Sequence, residues 1–139
     1  MTAVGMGQSY LRRARAVLRE AERLHVDGAW ALVVRRSQET VEPALKAVLR
    51  AAGVEVPRIH DVSGALRRNA ERLPPIVVAE MDALVSASRR LREERELAFY
   101  GDEETDTPAE DLFSRADADE ALATARRVLA VCVPAVEGV

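Results

Sequence analysis

The chain has 139 residues, 48% of them hydrophobic, with 23 acidic and 20 basic side chains and a formal net charge of −3. That length fits one domain, residues 1–139, with a core of its own, and the hydrophobic content excludes wholesale disorder. The net acidity argues against a protein built for non-specific binding to duplex DNA.

No apolar run approaches the ~20 residues a membrane span needs. Nothing at the start reads as a basic segment followed by an apolar one, so no secretory signal is expected and the cytoplasm is the expected compartment. Cys132 stands alone, which rules out an internal disulfide and fits a reducing environment. The chain holds 24 alanines and five aromatic residues, Tyr10, Trp30, Phe99, Tyr100 and Phe113. Small side chains with few aromatics favour close-packed helices over a β-sandwich. All the basic residues are arginine except Lys46. That bias reads either as genomic base composition and heat stability or as a supply of bidentate contacts to phosphate and carboxylate.

The first predicted helix runs from about Ser9 to His25, with Tyr10, Ala14, Val17, Leu18, Ala21 and Leu24 on one face. Asp27 and Gly28 end it, and Asp27 is the expected N-cap of the second helix. The second runs from about Gly28 to Ala52, striped by Trp30, Val34, Val41, Leu45, Val48 and Ala52, with Gly53 placed for a left-handed C-terminal residue. Pro43 falls inside it. Because the stripe keeps its phase across Pro43, one kinked helix is expected rather than two.

Val54 to Ile59 reads as an extended connector held by Pro57. His60 and Asp61 open a third, shorter helix, about Val62 to Leu73. Pro74–Pro75 separates it from a fourth, about Ile76 to Ala98, in which Val77, Met81, Leu84, Ser88, Leu91 and Arg95 share a stripe. An apolar stripe that ends in arginine implies that the end of this helix faces something other than core. Gly101 to Ser114 reads as an acidic loop, a solvated connector lacking the spacing of a calcium loop. A last helix starts near Asp117, with Glu120 in a capping-box position, and stops at Pro134. The expected fold is all-α: an up-and-down antiparallel bundle of four long helices and one short one, with its core over about residues 8–133.

Few residue patterns point to chemistry. Glu22-x-x-His25 is half of a di-iron bundle motif, but the only other histidine, His60, has Pro57 in place of the second Glu. No metal and no cofactor are therefore expected. Cys132 lies on an apolar face and reads as a packing thiol. There is no glycine-rich phosphate loop and no nucleophile elbow. The stretch Arg89 to Gly101 carries more. Arg92 and Arg95 lie one turn apart on one helix face, and Tyr100 follows at the helix end. Two cations and a phenol can grip a phosphate and stack a base. The same arginines can instead neutralise the negative end of the helix dipole and pair with glutamates on neighbouring helices. Gln38 and Glu42 stand at i, i+4 beside the apolar stripe of the second helix. A partly buried Glu needs a partner, and Arg95 is the expected one.

Taken together, these segments resemble the HEPN domain family. Tyr10 to Leu24 is similar to its opening helix, Arg36 to Leu49 to its second helix, Gly53 to Val62 to its connector, and Arg95 to Tyr100 with Asp117 to Leu129 to its closing half. Pro43 departs from the pattern. The resemblance implies a helical bundle that dimerises and often works beside a minimal nucleotidyltransferase in a toxin–antitoxin-like pair. It also implies that ribonuclease members carry Arg, four to six residues, then His, at the dimer interface. Here Arg95 fits the Arg, but Tyr100 stands where the His is wanted and no His follows His60. An imidazole moves protons near neutral pH and a phenol with a pKa near 10 does so poorly. The expectation is a non-catalytic homodimer that binds a nucleotide or a partner nucleotidyltransferase through Arg92, Arg95 and Tyr100, with Gln38 and Glu42 in support. The alternative is a metal-independent ribonuclease using Arg95 and Tyr100.

Overall fold

The computed structural model describes residues 2–56 and 62–138. These form an all-α fold with four long helices: α1 (Ala3–Val26), α2 (Trp30–Ala51), α5 (Met81–Tyr100) and α7 (Arg115–Glu137). Three short helices join them, α3 (Val62–Arg68), α4 (Pro75–Ala79) and α6 (Ala109–Leu112), with one 3-10 turn at Ala70–Arg72. Among the described residues, no helix is long and apolar enough to cross a membrane.

The long helices alternate in direction. Arg15 pairs with Glu137, Glu22 with Arg126 and His25 with Asp119, which sets α1 antiparallel to α7. Glu20 meets Arg36 near one end of the α1–α2 pair, and Gly7 meets Ala47 and Ala51 near the other. Glu42 meets Arg92, while Arg35 covers Phe99, so α5 runs against α2. The result is the expected up-down-up-down order, with α2 in the centre packed on α1, α5 and α7. The core follows the predicted stripes of the other long helices, with Val34, Val41, Leu45, Leu91 and Cys132 buried. In α1, by contrast, the largest buried side chain is Leu11, outside the predicted face, and Tyr10, Val17, Leu18 and Leu24 are only partly buried.

Several boundaries differ from expectation, each for a local reason. Helix α1 starts six residues before Ser9, because the Thr2 side chain accepts from the Gly5 N–H at 2.9 Å and caps it. Asp27 closes α1 rather than capping α2. Its N–H donates to the Arg23 carbonyl, and Gly28 at φ +75° makes the reversal that follows. Pro43 is accommodated inside a single α2, as its unbroken stripe implied, and Gly53 takes the left-handed backbone at φ +79°. The expected fourth helix is divided at Glu80 into α4 and α5. The acidic loop is more ordered than a connector: Asp102 and Thr107 exchange backbone hydrogen bonds of 2.8 and 2.9 Å, and α6 follows.

Helix α7 starts at a full capping box. Ser114 accepts from the Asp117 N–H at 3.2 Å, and Asp117 accepts from the Ser114 N–H at 2.8 Å. The box therefore opens three residues before Asp117. Pro134 does not stop α7. Ala135 and Val136 beyond it are buried, and Val136 lies where it faces Gly7 of α1. Their burial offsets the lost hydrogen bond of an interior proline, a cost of about 3 kcal/mol in an exposed helix. The expected helix opening at His60 and Asp61 lies outside the described residues.

Candidate functional site

Helix α5 ends in a mixed surface. Leu91 and Ala98 point into the core, whereas Arg92 and Arg95 are half-buried and Phe99 and Tyr100 are 49% and 68% exposed. Gly101 ends the helix at φ +76°, donating its N–H to the Leu97 carbonyl at 3.0 Å. A side chain there would run into the backbone of Thr107 and Ala109, so the close approach of the returning loop requires glycine. The chain thus turns away directly after the aromatic pair and leaves both rings open to solvent.

Helix α2 supplies the facing wall. Arg35 and Arg36 both donate to Glu39, at 2.9 and 2.6 Å, and Arg36 also reaches Glu20 at 3.4 Å. The Arg35 guanidinium lies 3.8 Å from the centre of the Phe99 ring, a close cation–π contact that ties α2 to the end of α5. Phe99 in turn meets Tyr100 edge-on at 4.6 Å. The rings are held by this chain of contacts rather than by burial.

Glu42 approaches Arg92, at 3.9 Å, and not Arg95 as expected. The two arginines share a helix face, but their axial positions differ by nearly a turn, and the offset of α5 against α2 brings the earlier one level with Glu42. Arg95 makes no ion pair among the described residues, although it is half-buried. Gln38, one turn before Glu42, is fully buried, and its side-chain oxygen lacks a hydrogen-bond partner among the described residues.

The seam between α2 and α5 thus has Glu42 across from Arg92, with Arg95 and Tyr100 further along the last turns of α5. Arg35, Glu39 and Phe99 belong to it too, and sequence reasoning missed them. Their signal was present: Arg35 and Glu39 stand at i, i+4 on the helix that carries Glu42, and Phe99 adjoins Tyr100. Both residues of the Glu22-x-x-His25 motif have partners in the fold. Glu22 binds Arg126, and His25 is engaged by Asp119 with its ring against Trp30. Cys132 is buried, which pushes its thiol up to about 12 and leaves no thiolate for chemistry near neutral pH.

The model of the HEPN domain family matches residues 8–136. The chain belongs to the HEPN family. Its fold is similar to the crystal structure of TT1696 from Thermus thermophilus, with a TM-score of 0.75, 29% identity, and coverage of 91% of this chain and 95% of that one. It is also similar to the crystal structure of ST0689, an archaeal HEPN homologue, with a TM-score of 0.72 and 23% identity over 94% of this chain and 97% of that one. No curated protein matches the chain. Within this HEPN bundle, the end of α5 presents guanidinium and aromatic groups and, among the described residues of the seam, no imidazole. Such a set can hold an anion and stack a planar ring.

Proposed function

We propose that this HEPN chain is a non-catalytic binding module. It acts as a homodimer, takes a nucleotide at the α2–α5 seam, and works with a partner nucleotidyltransferase in a toxin–antitoxin-like pair. The observation that carries this reading is Arg95. It is a half-buried guanidinium with no ion pair among the described residues, less than a turn from Arg92 and about one helical turn before the exposed Phe99. A phosphate can occupy the first element and a base the second.

Support for the dimer comes from exposed apolar side chains around that end of the bundle. Leu32 and Leu97 are 40% and 42% exposed, and Leu32 stands three residues before Arg35, which covers Phe99. A second copy covering this face would bury them and enclose the nucleotide between subunits.

Calorimetric titration of the full chain with ATP tests the reading. Saturable binding that weakens at least tenfold, about 1.4 kcal/mol, in Arg95→Ala is the expected result. Absence of any ATP signal overturns it. RNA cleavage that persists in EDTA and disappears in Arg95→Ala overturns the non-catalytic part and assigns a ribonuclease instead.

A further inference from the structure

The opposite side of α5 carries a second arginine arrangement. Arg90 precedes Arg92 by two positions, about 200° around the helix, so it faces α7 while Arg92 faces α2. Small side chains, Ala83, Ser86 and Ala87, line α5 on this side, and the two helices leave a groove of about 320 Å³ between them. That volume is in the range of small-molecule sites. Its floor is apolar: Leu84 and Val128 are buried, and Val131 extends them.

One end of the groove is basic in an unusual way. The Thr124 hydroxyl donates to the Glu120 carbonyl at 2.9 Å, and its oxygen accepts from Arg90 at 2.9 Å and from Arg127 at 3.3 Å. Two guanidinium groups therefore converge on one neutral oxygen. Glu120 engages Arg90 at 2.8 Å, but Arg127 has no carboxylate within ion-pair distance among the described residues. Positive charges this close repel each other, and an anion bridging the two forks relieves that repulsion while using their remaining N–H donors. Glu80 lines the far end, about 15 Å along α5 from Arg90. The groove thus has Glu80 at one end, Arg127 without a carboxylate partner beside the paired Arg90 at the other, and an apolar floor between.

We propose that the α5–α7 groove binds a small amphiphilic anion. Its carboxylate or phosphate-monoester head bridges Arg90 and Arg127, and its apolar body lies along Leu84, Val128 and Val131. The site is independent of the α2–α5 seam and of the nucleotide reading given above.

Calorimetry on the full chain tests this with 4-phenylbutyrate, phenyl phosphate, inorganic phosphate and uncharged 4-phenylbutanol. At least one of the two phenyl-bearing anions is expected to bind once per chain with a Kd below about 1 mM, and the tighter of them names the head group. Arg127→Ala, at an exposed position, weakens that binding by at least about tenfold, as does replacing the anion by 4-phenylbutanol. Ser86→Trp fills the groove without removing a charge and abolishes binding, so the test survives if Arg127→Ala fails to fold. Arg12→Ala, an exposed arginine of α1, leaves it unchanged. The proposal fails if neither phenyl-bearing anion binds, if Arg127→Ala and Ser86→Trp both bind within about twofold of the wild type, or if inorganic phosphate binds as tightly as phenyl phosphate.

Discussion

Glu94 sits half-buried on α5, and that burial pushes its carboxyl above the usual carboxylate range. Arg90 opposes the shift, while the negative charges of Asp117, Glu120 and Glu93 add to it. An acid whose pKa is higher in the folded than in the unfolded chain holds more protons when folded, so its contribution to stability falls as pH rises through the carboxylate range. Glu94→Gln removes a charge the fold disfavours. The variant is expected to be more stable than the wild type at pH 7, with the gain shrinking as the pH falls through the raised carboxyl pKa and vanishing below the ordinary one. Urea denaturation at pH 7 and pH 4 measures both arms, and a variant that is less stable at pH 7 refutes the sign. Arg95 belongs to the same scale. Its half-burial without a carboxylate is the feature on which nucleotide binding is argued, and it depends on a single side chain.

At the scale of elements, α1 comes close to both α2 and α7 at Gly7. A methyl group on Gly7 would lie 2.8 Å from the Ala47 carbonyl oxygen, 2.9 Å from the Ala51 Cβ and 3.3 Å from Val136. Backbone cannot yield as a flexible side chain does. Gly7→Ala therefore forces the helices apart even though alanine is the better helix former, by about 1 kcal/mol. Overpacking of this kind costs about 1–3 kcal/mol, so a net loss of stability is expected in thermal or urea unfolding. A more stable Gly7→Ala would show that the crossing has room to spare. The same crossing explains why α7 runs through Pro134, since the buried residues after the proline are the ones that meet α1.

For the whole molecule, the thin, alanine-rich core and the exposed rings and leucines near the end of α5 bear on assembly. Twice the chain mass of 15.2 kDa is expected by light scattering, and Leu32→Glu is expected to return it to the single-chain value. A wild-type chain that scatters at 15.2 kDa removes the homodimer from the proposal.

The bundle, its four long amphipathic helices and most of the inward-facing residues of the last three were legible from the amino acids alone, whereas Leu11 of the first was not. The shared helix face of Arg92 and Arg95 was legible too, because helical periodicity is a local property and needs no knowledge of neighbours. Helix ends were less legible. Thr2 opens the first helix ahead of the expected start near Ser9, Ser114 caps the last one ahead of Asp117, and Pro134 was overruled by burial at a site more than a hundred residues away. The partners across helices emerged only once the chain was folded. Glu42 meets Arg92 instead of Arg95, Arg35 covers Phe99, and Arg90 and Arg127 converge on Thr124 beside an open groove. Each of these depends on the rotation and axial offset of one helix against another. Those two quantities are set by packing of the whole core and are written in no single segment.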